Sequence, residues 1–201
     1  MVFRRTPKIT TAPISAAAQS EFGARTSPLW CRQLLADRSL QPVSSAWRSR
    51  NRALTNEDSF LASTLNTPDT IRAWHALYRA LPPDDDEDRL AGELLCLFAL
   101  GSGVNGHPDV AHGGVTAAIL DAATGSVAEL FSTEGDSAFT LELTVRYRRP
   151  LATPGVYVCR SWVRRRTEGR KAWLRAVVED GNGTVYAEGD AFWLDVPRSK
   201  L

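Results

Sequence analysis

The segment HGGVTAAILDAATG, residues 112–125, decides the fold of this chain. It reads as two glycines that open a helix with apolar residues on nearly every side, and such a helix is normally buried. Asp121 is the only ionisable side chain between His112 and Glu129. A lone carboxylate in an apolar helix costs free energy unless it is hydrogen-bonded or used in chemistry, and burial raises its pKa. We expect Asp121 to be a catalytic base or nucleophile. The alternative is a structural role, in which Asp121 is the hydrogen-bond partner of a buried hydroxyl or amide.

The two glycines at the start of this helix predict an oxyanion site. The amide N–H groups of Gly113 and Gly114 have no partner within the helix and lie at the positive end of its dipole. Gly113 and Asp121 are eight residues apart in the sequence, which corresponds to about 12 Å along a helix. One carbonyl group cannot contact both, so joint action would need the glycine of one subunit and the carboxylate of another. The spacing therefore predicts an obligate homo-oligomer with active sites at its interface.

Length and composition restrict the class of protein. The chain has 201 residues, a net charge of +1 and three cysteines without a Cys-x-x-Cys pair. These values favour one soluble domain with an extension, in a reducing compartment and without structural zinc. No apolar run reaches the length of a membrane span. Residues 1–52 hold nine Lys or Arg against two acidic residues, whereas residues 53–201 hold fifteen against twenty-one. The acidic globular part argues against nucleic-acid binding.

The N-terminal residues 1–53 are expected to form a basic extension. Within it, residues 1–28 combine four basic residues with many Ser, Thr and Ala and one acidic residue. This composition is typical of a mitochondrial presequence, and a disordered basic tail fits it equally well. Mitochondrial localisation is accordingly one expectation, with a cytoplasmic protein as the alternative.

A helical lead-in is predicted over residues 54–89. The sequence TNED at residues 55–58 has the spacing of a capping box for a helix that ends near Leu65. A second helix is expected with Thr67 as its cap and Pro68 at its first position. Its apolar stripe would be Ile71, Trp74, Leu77, Tyr78 and Leu81.

After the central helix, the sequence period changes to two. Residues 139–147 alternate apolar and polar side chains, which predicts a strand with one buried face. That face would hold Phe139, Leu141, Leu143, Val145 and Tyr147. Further strands are expected over residues 93–100, 156–166, 171–179 and 184–196. One helix followed by hairpin-linked strands indicates an α+β fold with an antiparallel sheet.

Four motifs resemble those of the hotdog-fold acyl-CoA thioesterases, in particular the phenylacetate-pathway type and its eukaryotic and fungal relatives. His-Gly-Gly at residues 112–114 is followed by Asp121, nine residues after the histidine. Thr140 stands seven residues before the tyrosine of YRRP, residues 147–150, and EGRK at residues 168–171 matches a hairpin. The resemblance implies a hotdog domain over residues 90–201, in which an antiparallel sheet wraps a long central helix. It also implies pairing into homodimers or homotetramers.

The same resemblance implies hydrolysis of an acyl-CoA thioester to a free acid and CoA. The thioester carbonyl would be polarised by the Gly113 amide with help from Asn105, although some relatives place that asparagine one residue later. Asp121 of the partner subunit would deprotonate water or attack directly, and Thr140 would orient the water or the carboxylate. His112 would act either as a structural hydrogen-bonding residue at the helix start or in acid–base chemistry.

Gly114, Arg170 and Lys171 complete the expected substrate-binding residues, with the two cations near the phosphates of CoA. A solvated surface is the alternative for these cations. Neither a cofactor nor a metal is required by this chemistry, and the partners expected are acyl-CoA and a second copy of the chain. Two rival functions stay open. A hotdog hydratase or dehydratase would need a histidine beside the carboxylate, and a non-catalytic acyl-CoA-binding or interaction module would not need Asp121.

Overall fold

The computed structural model describes residues 6–44, 57–81, 89–133, 135–167 and 170–200. The strands are β1 Leu40–Val43, β2 Ile71–Arg79, β3 Leu90–Leu100, β4 Asn105–His107, β5 Val110–Ala111, β6 Asp136–Tyr147, β7 Gly155–Arg166, β8 Lys171–Glu179 and β9 Val185–Pro197. The helices are α1 Ala16–Ala18, α2 Leu29–Ala36 and α3 Gly113–Leu130, with π-helical turns at Gln19–Gly23 and Phe60–Thr64 and 3-10 turns at Ser102–Val104 and Arg198–Lys200. Seven strands form one antiparallel sheet in the order β1-β2-β3-β7-β8-β9-β6, and β4 pairs with β5 in a separate ribbon.

The central helix α3 packs on one face of this sheet, which we call the inner face. Its side chains Ile119, Leu120 and Ala123 are fully buried in the main hydrophobic core. The small residues of the helix let the sheet approach closely, because a Cβ atom on Gly125 would lie 2.6 Å from the ring of Trp193. The predicted buried helix and the predicted α+β class are therefore confirmed. In the described part of the chain, no helix has both the length and the hydropathy needed to cross a bilayer.

All the strands predicted from residue 93 onward are present, but one connection differs from the prediction. β7, β8 and β9 follow one another as hairpins, whereas β6 pairs with β9 and lies at the end of the sheet. Phe139, Leu141 and Tyr147 are 41%, 54% and 56% exposed rather than buried, so the prediction of one buried face is wrong at these three residues. The strand has a neighbour on one side only, and a register shift at Leu141 places Phe139 on the face opposite to Leu143.

The predicted helix after Thr67 is also wrong, because residues 71–79 form β2. Thr67, the predicted helix cap, instead closes a turn. Its Oγ1 accepts from the backbone N–H groups of Asp69 and Thr70 at 3.3 and 3.2 Å. In β2, Trp74 belongs to the core under the inner face, and Leu77 belongs to a second cluster on the opposite, outer face. A strand that is buried on both faces loses the period of two, so its apolar spacing resembled a helical stripe.

The helix predicted to end near Leu65 appears as a π-helical turn, Phe60–Thr64. Its proposed capping residues Thr55 and Asn56 lie outside the described residues.

The N-terminal extension covers part of the outer face of the sheet. Ala18, Phe22 and Cys31 are fully buried there, in the second cluster with Leu77 and Leu95. The backbone N–H of Lys8 donates to the carbonyl of Leu130 at 2.8 Å, at the end of α3. The extension therefore contributes apolar side chains to the packing of the sheet. The boundaries at residues 53 and 89 stay predictions.

Candidate active site

The start of α3 presents one free backbone donor. His112 is the N-cap residue, and its Nδ1 accepts a hydrogen bond of 2.9 Å from the backbone N–H of Gly114. In the described part of the chain, the N–H of Gly113 has no hydrogen-bond partner. The sequence predicted that both glycine amides would be available to a substrate, and this is wrong for Gly114 because the imidazole occupies its N–H. Of the two predicted donors, only the Gly113 amide is therefore left available in the described residues.

Asp121 lies about two turns further along α3 and is half-buried. Its Oδ1 accepts a hydrogen bond of 2.7 Å from the hydroxyl of Thr140 on β6. Burial raises the pKa of Asp121 above its usual value, and the Thr140 hydrogen bond partly opposes that rise. The structure thus brings these two predicted site residues into contact. A carboxylate with a raised pKa and one oriented oxygen is suited to proton transfer.

A β-bulge in β6 makes the contact between Thr140 and Asp121 possible. Thr140 lies opposite Trp193, and Glu142 lies opposite Phe192, so Leu141 is an extra residue on this strand. Trp193 faces α3, since its Nε1 donates to Thr124 Oγ1 at 3.2 Å. Thr140 therefore also faces α3, whereas strict alternation would have placed it on the outer face.

Tyr147 is a further residue at this site, which the sequence analysis placed on the predicted buried face and used as a spacing marker but did not assign to the site. Its hydroxyl donates to the carbonyl oxygen of Gly113 at 2.9 Å. The position of a Cβ on Gly113 would be 3.4 Å from Cζ and Oη of this ring. The signal that could have identified it is the alternation itself, because a tyrosine at the end of β6 with the parity of Leu143 and Val145 must face α3.

Asn105 reaches the same end of α3 through the ribbon. The N–H of His112 donates to the carbonyl of Val104 at 2.8 Å, and Asn105 pairs with Ala111. The hydroxyl of Thr153 donates to Asn105 Oδ1, which leaves the amide NH2 as the outward donor. Asn105 is therefore held beside the start of the helix, as a residue that assists the Gly113 amide would need to be.

Arg170 and Lys171 are not brought to Asp121 within one chain. Both side chains are exposed. Ala172 is buried against the inner face, so the neighbouring Lys171 side chain points to the outer face. Their assignment to substrate binding stays a prediction, with a solvated surface as its alternative.

Comparisons with known proteins agree with the fold. Residues 109–187 match the family model of the thioesterase superfamily. The chain is 30% identical over 118 residues to "Acyl-coenzyme A thioesterase THEM4" of Bos taurus and 31% identical over 114 residues to that of Mus musculus. These matches cover 58% and 56% of this chain but 45% and 47% of the relatives, so the chain spans about half of their length.

A solved structure extends the comparison to the fold. A phenylacetic acid degradation-related protein of Ralstonia eutropha superposes with a TM-score of 0.51 at 20% identity, over 67% of this chain and 89% of that chain. Together with the family match, this likeness confirms the resemblance to hotdog-fold thioesterases that the four sequence motifs predicted.

Proposed function

We propose, on the premise that residues 109–187 form a thioesterase-superfamily domain, that this chain hydrolyses an acyl-CoA thioester to a free acid and CoA. The observation that carries the proposal is the half-buried Asp121 carboxylate, oriented by Thr140 at 2.7 Å, on the helix whose first N–H has no partner in the described residues. The names of the two mammalian relatives, acyl-coenzyme A thioesterases, support the same substrate class.

In this proposal, the thioester oxygen accepts a hydrogen bond from the Gly113 N–H and a second one from the Asn105 amide. Asp121 takes a proton from water while the water oxygen adds to the carbonyl carbon. The negative charge that develops on the carbonyl oxygen is stabilised by the two donors and by the positive end of the α3 dipole. The carbon–sulfur bond then breaks, and the sulfur leaves with the proton that Asp121 holds. Direct attack by Asp121, giving an anhydride that water hydrolyses, uses the same groups.

The two halves of this site belong to different subunits. Gly113 and Asp121 stand eight residues apart on α3, about 12 Å at 1.5 Å per residue, so they cannot reach one carbonyl group together. β6 carries Thr140 and Tyr147 and forms the end of the sheet, with Phe139, Leu141 and Tyr147 exposed along it. An edge strand with exposed apolar side chains is a surface suited to pairing with a second copy. We therefore propose a homo-oligomer in which Asp121 of one subunit serves Gly113 of the other.

Release of free thiol from acyl-CoA substrates of increasing chain length tests the reaction. Asp121→Asn keeps an oxygen for the Thr140 hydrogen bond and removes the negative charge. We expect the wild type to release thiol and the variant to be slower by about 10²- to 10⁴-fold, as for loss of a general base. If the wild type releases no thiol from any substrate, the hydrolase proposal fails. A variant as active as the wild type would show that Asp121 is not the base, whereas binding of acyl-CoA by both proteins without thiol release would support a non-catalytic acyl-CoA-binding module.

The shared site is tested by mixing two inactive variants. Gly113→Pro removes the free N–H and adds a ring at a position that suits it, because proline is favoured at the first helical position and His112 already has the extended φ of −61° and ψ of 136° that a following proline requires. Gly113→Ala retains the N–H and measures the steric effect of a Cβ. When Asp121→Asn and Gly113→Pro chains are co-expressed, mixed dimers regain one intact site, so activity should return. Two inactive homodimers and no recovery on mixing would contradict a shared site.

Mitochondrial localisation and a role in lipid metabolism are part of the same proposal. The serine-, threonine- and alanine-rich composition of residues 1–28 supports the first. The acyl-coenzyme A thioesterase relatives support the second.

A further inference from the structure

The peptide group between Gly113 and Gly114 is held at both ends. Its carbonyl oxygen accepts from the Tyr147 hydroxyl at 2.9 Å, and its N–H donates to His112 Nδ1 at 2.9 Å. A peptide group is planar, so two hydrogen bonds on opposite sides fix the orientation of that plane. The peptide that follows the Gly113 Cα atom is therefore held by the side chains of His112 and Tyr147, and Tyr147 comes from outside the helix.

The other flank of Gly113 is the peptide that contains the proposed oxyanion donor. The carbonyl of His112 in this peptide accepts from the N–H groups of Val115 and Thr116 at 3.0 and 3.3 Å. Its N–H, on Gly113, has no partner in the described part of the chain. With its own carbonyl and the following peptide both held, the direction of the Gly113 N–H is set before any substrate binds. Donors that are oriented in advance stabilise a transition state best, because they need no reorganisation during the reaction.

Tyr147 ties this first turn of α3 to another element. The three atoms nearest to a Cβ built on Gly113 all belong to its ring, at 3.4 to 3.5 Å. Nevertheless, Tyr147 is 56% exposed and contributes little to the core. An exposed aromatic residue whose hydroxyl engages the glycine at the start of α3 fits a role in positioning better than a role in stability.

We propose that Tyr147 is a positioning residue that orients the Gly113 N–H for the thioester oxygen. The inference rests on the proposed hydrolysis and adds to it a residue that does not itself touch the reacting atoms. Loss of the hydroxyl would leave the Gly113–Gly114 peptide held by His112 and by the hydrogen bonds of α3, but without its tie to β6. The Gly113 N–H would then sample directions away from the carbonyl oxygen, and the cost would fall on the chemical step rather than on binding.

The first test is Tyr147→Phe, which keeps the ring on Gly113 and removes the hydroxyl. We expect kcat for acyl-CoA hydrolysis to fall about tenfold, as expected for a misaligned catalytic group, while KM stays within twofold. Tyr186→Phe is the matched control, because it removes a hydroxyl from β9, where the ring packs edge-on against Tyr157. A wild-type kcat for Tyr147→Phe, or a change confined to KM, would overturn the proposal.

A double variant separates positioning from a general effect on the fold. In the Gly113→Pro background the N–H is gone, so adding Tyr147→Phe should not lower the residual kcat of that variant any further. If the tenfold loss persists there, Tyr147 acts independently of the Gly113 amide and the inference is wrong.

A readout without turnover keeps the inference testable if no acyl-CoA is hydrolysed. In protein labelled with 15N-glycine, the chain gives 14 glycine positions to follow by NMR. We expect the Gly113 and Gly114 amide signals to shift or broaden in Tyr147→Phe and to stay in place in Tyr186→Phe. Unchanged Gly113 and Gly114 signals in Tyr147→Phe would contradict the positioning role of Tyr147. If these signals shift but the wild type hydrolyses no acyl-CoA, the hydrolase proposal alone is rejected.

Discussion

At the scale of single residues, the site balances two opposing effects on one carboxyl group. Burial in α3 disfavours the charged form of Asp121 and raises its pKa, and the hydrogen bond from Thr140 at 2.7 Å favours the charged form. A general base must be ionised, so activity is lost as the pH falls through the pKa of Asp121. The acid limb of the pH profile therefore reports on this pair.

Thr140→Val is expected to move that acid limb to higher pH. The substitution keeps the size of the side chain and removes the donor that lowers the Asp121 pKa, so the pKa rises and protonation begins at a higher pH. Thr144→Val is the matched control, because Thr144 lies opposite Asp190 on the outer face of the same strand. The measurement is kcat/KM against pH for the three proteins. Equal midpoints in all three would show that Thr140 does not govern the ionisation of Asp121.

At the scale of elements, the start of α3 depends on the imidazole of His112. The Nδ1 atom accepts from Gly114, so the neutral ring carries its hydrogen on Nε2. Asparagine is a strong N-cap residue and can replace this acceptor, whereas alanine cannot. The two alternatives for His112, helix cap and acid–base group, therefore predict different results for these substitutions.

We expect His112→Ala to lower the free energy of unfolding by about 0.5–2 kcal/mol and to reduce activity, because the first turn that holds Gly113 frays. His112→Asn should retain most of both. Urea unfolding and kcat, measured on the same preparations, provide the comparison. If His112→Asn is as stable as the wild type but as inactive as His112→Ala, the imidazole takes part in acid–base chemistry.

At the scale of the whole molecule, the N-terminal extension packs against the outer face of the sheet. Phe22 is fully buried in the outer-face cluster, and Glu21 forms an ion pair of 2.8 Å with Arg72 on β2. Removal of residues 1–28, which cleavage of a presequence of that length would cause, would therefore take a buried aromatic residue out of the packing. We expect these packed residues to remain in the folded protein.

Phe22→Ala should lower the free energy of unfolding by about 3–5 kcal/mol, the usual cost of removing a buried phenylalanine. Phe60→Ala is the matched control, because Phe60 is 55% exposed and substitutions at the surface usually change stability by about 0.5 kcal/mol or less. Both values come from urea unfolding of the full chain. Equal stability of the two variants would mean that the extension is not part of the cooperative unit.

The sequence by itself determined the buried helix around Asp121, the strands from residue 93 onward, the antiparallel class and the family resemblance. These features depend on patterns that lie within one element, such as the apolar surface of residues 112–125 or the alternation in residues 139–147. The helix pattern identified Gly113 and Asp121 as candidates, and the family resemblance added Thr140.

Only the tertiary structure decided that residues 71–79 form a strand, that Leu141 bulges so that Thr140 faces α3, and that Tyr147 reaches Gly113. Each of these depends on contacts between segments distant in sequence. β2 is covered on one face by the extension and on the other by the core, and the bulge is defined only by the pairing of β6 with β9. Local periodicity describes which side chains are apolar, but strand pairing sets which face each of them occupies.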